Sequence, residues 1–133
     1  MSLVSTKWLF NNIENVKIVD CSWHLPNEKR NSLEEYNSEH IPGAVYFDID
    51  KNSDQNSDLP HMLPIKKEWE EIVSSLGISN DDKIIIYDNS DLISSCRLWY
   101  SFLYFGHKKE LVYILNGGLE KWNKEKLVTT NIK

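Results

Sequence analysis

The second half of the chain carries the clearest alternation of apolar and polar positions. Ile65, Trp69, Ile72, Val73 and Leu76 recur at helical spacing, and Gly77 is placed to stop that helix. Asn80-Asp81-Asp82 turns into Lys83 to Tyr87, whose Ile84-Ile85-Ile86 core suits a strand covered on both faces. A loop from Asp88 to Ile93 leads into a helix that begins near Ser94 or Ser95 and runs to about Phe105, apolar nearly all round. Gly106 ends it. Leu111 to Leu115 reads as another buried strand, followed by Asn116-Gly117-Gly118 and a short helix with Leu119 and Trp122 inward.

The first half is less regular. Ser5 or Thr6 can cap a short helix carrying Trp8, Leu9 and Ile13, and Val16 to Val19 predicts a first strand ending at Asp20. Cys21 to Ser32 is polar, contains Pro26 and reads as a loop. A short helix is expected around Leu33 to His40 with Leu33 and Tyr36 inward, and His40-Ile41-Pro42-Gly43 then turns into a strand from Ala44 to Phe47. Asp48 to Pro64 is rich in Asp, Asn and Ser; a loop this long has a function or is mobile. Strands alternating with helices, with β-branched runs in the later strands, predict an α/β domain of three layers, its mostly parallel central sheet flanked by helices.

With 133 residues the chain fits one domain, 1–133, and its 41% apolar content and five tryptophans argue for a packed core. A formal charge of -5 makes nucleic acid an unfavourable partner. The start lacks the pattern of a secretory signal, and no apolar run approaches the length of a spanning helix, so no membrane partner and a cytoplasmic location are expected. Cys21 and Cys96 have no metal-type spacing and read as buried free thiols. His24, His40, His61 and His107 show no metal spacing either, and no metal or cofactor is expected.

Chemistry in such sheets sits beyond the C-terminal ends of the strands, which directs attention to Asp20-Cys21-Ser22, Asp88 to Ser94 and Asn116-Gly117-Gly118. The middle segment joins a buried strand directly to a helix, whose exposed amides favour an anion. Here Asp88 and Asp91 supply that charge themselves, and a capping role needs no ligand. An aspartyl phosphoryl acceptor or a hard-metal site lacks the helper groups it requires. Cys96 lies inside the helix in apolar surroundings. Cys21 follows a strand at the mouth of the predicted cleft and is the better-placed thiol, although no base stands beside it in the sequence. His61, between Pro60 and Pro64, suits a fixed loop contact. Gly117-Gly118 needs no explanation beyond a tight turn.

Several of these pieces together resemble the rhodanese superfamily, and specifically the N-terminal domain of tandem mercaptopyruvate and thiosulfate sulfurtransferases. They include Val19-Asp20-Cys21-Ser22-Trp23-His24-Leu25-Pro26, His40-Ile41-Pro42-Gly43-Ala44 and Phe47-Asp48-Ile49-Asp50. They continue with Leu59-Pro60-His61-Met62-Leu63-Pro64, Ser94-Ser95-Cys96-Arg97-Leu98-Trp99 and Leu115-Asn116-Gly117-Gly118-Leu119. The resemblance implies transfer of sulfane sulfur from mercaptopyruvate or thiosulfate to thiol or cyanide acceptors through a persulfide on a loop cysteine. The equivalent position here is Asp88, so no catalytic residue is expected in this chain. The nucleophile would belong to a C-terminal catalytic rhodanese domain as partner. His61, Asp88, Asp91, Ser94 and Arg97 are the candidate cleft or interface residues, with either Trp99 or Tyr100 turned outward beside them. On this reading the chain is half of a two-domain enzyme; the alternative is a stand-alone rhodanese-like binding or regulatory module without transfer activity. Homo-oligomerisation stays open.

Overall fold

Three consecutive isoleucines are stable in a strand only when helices shield both of its faces, and that requirement organises the molecule. The computed structural model describes residues 2–90 and 93–132. In chain order its elements are β1 (Leu3–Val4), α1 (Thr6–Asn12), β2 (Lys17–Asp20), α2 (Ser32–Ser38), β3 (Val45–Tyr46), α3 (Lys66–Ser75), β4 (Ile84–Tyr87), α4 (Ile93–Tyr104), β5 (Val112–Leu115) and α5 (Gly118–Lys124). The five strands form one sheet in the order β1-β5-β4-β2-β3. Every pairing is parallel, with Val19 beside Ile86 and Ile86 beside Ile114.

All four residues of β4 are buried, and the pleat sends them alternately to two cores. Ile84 and Ile86 pack with Trp69 of α3 and Leu98 and Phe102 of α4. Ile85 and Tyr87 face the other way, among Leu9 of α1, Tyr36 of α2 and Trp122 of α5. The expected α/β architecture, a mostly parallel sheet between helical layers, is therefore what the chain forms, and the sheet is wholly parallel. No helix among the described residues is long and apolar enough to cross a membrane.

Local chemistry accounts for most element ends. Ser5 Oγ accepts the Trp8 amide at 3.0 Å and starts α1. Asn31 Oδ1 does the same for Glu34 at the start of α2. Gly77, at φ +78°, ends α3 in the left-handed region that costs a glycine least.

The departures from the sequence reading have equally local causes. Leu33 is 45% exposed, because α2 buries only Tyr36. Ile65 is extended (ψ 159°) and precedes α3 rather than belonging to it, leaving its side chain 62% exposed. Helix α4 starts at Ile93, slightly earlier than the serines suggest. Strand β1 is too short for any periodicity to reveal; it exists because Leu3 and Val4 add to the edge of β5. An antiparallel bridge between His40 and Thr130 anchors the C-terminal stretch.

The contrast between Ile85 and Leu33 is measurable. Ile85→Ala should lower unfolding free energy by about 2–5 kcal/mol, whereas Leu33→Ala should change it by less than about 0.5 kcal/mol. Urea unfolding followed by tryptophan fluorescence reads both, and comparable losses at the two sites would contradict this packing.

Candidate functional site

Neighbouring strands β2 and β4 send their following chains in opposite directions, and the crevice beyond their C-terminal ends is where an open parallel sheet places a site. A cleft of about 870 Å³ lies there. Its walls come from the loop after β2 (Trp23, Arg30), from the end of the acidic loop (His61) and from the start of α4 (Ser94, Arg97).

The floor is built around Asp88. Its backbone continues β4, and its side chain, 2% exposed, turns under the start of α4. One carboxylate oxygen accepts the Ser90 amide at 3.0 Å; the other accepts the Ser95 amide at 3.1 Å and the Ser95 hydroxyl at 2.5 Å. The Asp88 carbonyl accepts the Leu119 amide at 3.1 Å, which brings α5 to the same point. Gly118 passes so close that a Cβ there would stand 2.6 Å from that carbonyl oxygen, and its φ of +59° is already unfavourable for a side chain. The glycine pair thus permits a close approach in addition to making a tight turn.

Asp20, the last residue of β2, anchors the opposite side. Its Oδ1 accepts the Ser22 amide (2.9 Å) and the Ser22 hydroxyl (2.6 Å), while Ser22 Oγ accepts the Asn89 amide (2.7 Å). This hydroxyl relay locks the two strand-end loops together. Burial raises the Asp20 pKa; hydrogen bonds from Ser22 and Tyr87 oppose the rise, and the charge of Asp88 adds to it.

Cys21 is fully buried between these carboxylates and does not line the cleft, which corrects its expected place at the mouth. Its thiol donates weakly toward the Tyr87 carbonyl (3.6 Å) and the Ser95 hydroxyl (3.9 Å). Burial pushes its pKa well above the ordinary thiol value, and the negative charges of Asp88 and Asp20 push it further. A nucleophile needs the thiolate, and burial and the neighbouring charges both disfavour it here. Cys96 is half-buried against the core formed with α3.

The residues expected at the cleft divide accordingly. His61, Ser94 and Arg97 line it; Asp88 lies beneath; Asp91 falls outside the described residues. Of the adjacent aromatics, Trp99 packs on the core and Tyr100 is 54% exposed. Two further residues were not singled out as site residues by the sequence: Asp50 and Trp23. His61 Nε2 bonds Asp50 Oδ1 at 2.5 Å, Trp23 Nε1 donates to Asp50 Oδ2 at 3.0 Å, and the Trp23 ring meets the His61 ring edge-on at 4.9 Å. His61 also holds φ +58°, a conformation unusual for a residue with a side chain. Its Nδ1 remains without a hydrogen-bond partner among the described residues. Nothing in the spacing of an aspartate eleven residues before a histidine signals such a pair. His24 is buried and pairs with Glu35 at 2.8 Å, which Arg30 also grips, so this histidine braces the loop after β2.

A five-stranded parallel sheet flanked by helices, with its crevice beyond the strand ends, matches the rhodanese fold. The chain belongs to the family of the rhodanese-like domain, whose model matches residues 5–125. It is 43% identical over 122 residues to the mitochondrial thiosulfate/3-mercaptopyruvate sulfurtransferase 1 of Arabidopsis thaliana, covering 90% of this chain and 32% of that protein. It is 40% identical over 132 residues to the thiosulfate sulfurtransferase of Rattus norvegicus, covering 93% of this chain and 43% of the relative. Among solved structures, the 3-mercaptopyruvate sulfotransferase SseA from Escherichia coli superposes with a TM-score of 0.87 at 38% identity, covering 98% of this chain and 52% of that one. The chain therefore spans between about a third and a half of the length of these relatives.

Two substitutions test the geometry. With its folded-state pKa raised, Asp20 is held more tightly protonated in the folded chain than in the unfolded one. Its contribution to stability is fully present below the ordinary carboxylate value and is lost as pH rises through the raised value. Asp20→Asn removes this dependence, so wild type should lose stability relative to the variant between acid and neutral pH; a gain by wild type over that window would overturn the assignment. Gly118→Ala should cost at least about 1 kcal/mol from backbone strain alone. It should also speed hydrogen exchange of the Leu119 amide, and unchanged exchange would show that the close approach to Asp88 is not constraining.

Proposed function

We propose that this chain is the non-catalytic half of a thiosulfate or 3-mercaptopyruvate sulfurtransferase, and that its cleft forms one wall of an active site completed by a second rhodanese domain. The observation that carries the reading is Asp88. The amides at the end of the central strand are the place for an anionic nucleophile, and here a buried carboxylate occupies them with its own hydrogen bonds. A carboxylate carries no sulfane sulfur, and Cys21 behind it is kept in its thiol form. The similarity to sulfurtransferases that are at least twice as long or nearly so supports a division of labour between two halves.

In this reading the cysteine thiolate of the second domain attacks the sulfur of mercaptopyruvate. The carbon–sulfur bond breaks, the persulfide forms, and the electron pair departs as pyruvate enolate, which takes up a proton. His61, oriented by Asp50 and steadied by Trp23, is placed to manage that proton at its open Nδ1. The persulfide then passes its outer sulfur to a thiol or cyanide and regenerates the thiolate.

The purified chain, supplied with mercaptopyruvate or thiosulfate and cyanide, should release no thiocyanate and gain no sulfur by intact mass. Turnover with a sulfur adduct on this chain would refute the proposal. Joined to a cysteine-bearing rhodanese domain, the chain should support transfer, and His61→Asn should lower kcat with mercaptopyruvate by about 100-fold.

A further inference from the structure

His40 is fully buried just beyond α2, and both of its ring nitrogens face backbone oxygens. Nδ1 stands 2.7 Å from Tyr36 O, and Nε2 stands 3.0 Å from Ile132 O. The Tyr36 carbonyl is one of the acceptors left over at the end of α2, because the His40 amide that would reach it bonds Thr130 O instead, at 2.9 Å. A carbonyl only accepts, so each ring nitrogen must carry a proton to make its bond. Neutral imidazole has one N–H and satisfies one of the two carbonyls; imidazolium satisfies both.

The second of these bonds closes a strap. After α5 the chain is pinned by the Trp122 indole, which donates to Val128 O at 2.8 Å, and by the paired backbone bonds between His40 and Thr130. Ile132 is the last link, with its amide on Thr130 Oγ1 at 3.1 Å and its carbonyl on the His40 ring. Val128 and Ile132 are exposed, so hydrogen bonds rather than apolar burial hold this stretch in place. The His40 ring stacks on Tyr36, with centroids 4.2 Å apart and planes 13° from parallel, which favours a cation over the phenol face. Its place at the C-terminal end of α2 favours positive charge as well. The ionisable groups around it are Tyr36 from α2, Glu39 before it in the chain, and Tyr87 from β4, whose hydroxyl accepts the Ile41 amide at 3.2 Å and bonds Asp20 of β2. The strap itself, 128–132, has no ionisable side chain.

We propose that His40 is a proton-dependent latch for the stretch 130–132: the imidazolium holds it through both ring nitrogens, and loss of one proton releases it. The bond to Tyr36 O is the shorter and spans only four residues, so the proton that leaves is the one on Nε2. Ile132 O then loses its donor and turns to water. Closing the latch takes up one proton, so the stretch is held most firmly in acid and loosens as pH rises.

NMR on the isotopically labelled chain reads the latch directly. Long-range proton–nitrogen spectra separate imidazolium from each neutral tautomer; both His40 nitrogens should be protonated at about pH 5 and only Nδ1 at about pH 8. Over the same range the exchange protection of the Thr130 amide should fall by about tenfold relative to that of the Ile86 amide in β4, after correction for the intrinsic pH dependence of exchange. The fall should persist in Asp20→Asn, and in His40→Gln the Thr130 amide should be weakly protected at both pH values. A His40 ring whose protonation does not change over this range, or Thr130 protection that does not fall, would overturn the proposal. So would a fall that disappears in Asp20→Asn, because the buried carboxylate would then control the strap. If His40→Gln does not fold, the wild-type spectra and Asp20→Asn decide alone.

Discussion

The carboxylate of Asp88 holds together parts of the chain that are far apart in sequence. It receives donors from the start of α4, its backbone carbonyl receives α5, and the adjacent Asn89 amide reaches the Ser22 hydroxyl beyond β2. Removing it would strand buried amides and a hydroxyl, each of which costs about 1–3 kcal/mol when left without a partner. The same group therefore sets the register between loops and determines what chemistry the crevice can hold. A fixed anion in the cradle excludes a second anion there, and ligand charge must be met elsewhere in the cleft.

That exclusion reaches the neighbouring groups. Asp20 lies close enough for Asp88 to add to its raised pKa, and Cys21, between the two, is driven further from ionisation by both. Two buried carboxylates flanking a thiol form an arrangement opposed to the one that activates cysteines, in which cations and helix amides lower the pKa. The thiol's weak bonds to Tyr87 O and Ser95 Oγ fit a small packing group rather than a reactive one.

The sequence revealed what depends on periodicity and punctuation, and missed what depends on long-range pairing. The isoleucine run at 84–86, the α3 stripe through Trp69 and the inward pair Leu119 and Trp122 all identify their burial by spacing alone. Leu33 did not, because a helix as short as α2 gives too few turns to establish which of its apolar residues faces inward. Cys21 misled for a related reason: a residue just after a strand end can turn toward the cleft or continue the pleat. Here its amide bonds Tyr87 O and continues the ladder into the core. His61 and Arg97 were recognisable as residue types near strand ends, but the Trp23–Asp50–His61 contact joins positions 38 residues apart across an irregular loop, beyond any local pattern.

The distribution of polarity on the surface follows from the same division. Helix α4 turns Leu98 and Phe102 inward and leaves Ile93, Tyr100 and Tyr104 at 70%, 54% and 61% exposure. Positions 93, 97, 100 and 104 fall at helical spacing, so this apolar stripe runs directly out of the cleft through Arg97. Apolar contact surface continuous with a ligand site suits a domain whose cleft is closed by another body rather than by its own lid. In the proposed tandem the stripe would dock that body, while Arg97 and the Asp50-held His61 remain at the rim where the two surfaces meet. Arg97, about one turn into α4, then stands on the wall beside that filled cradle as a cation with no ion pair among the described residues.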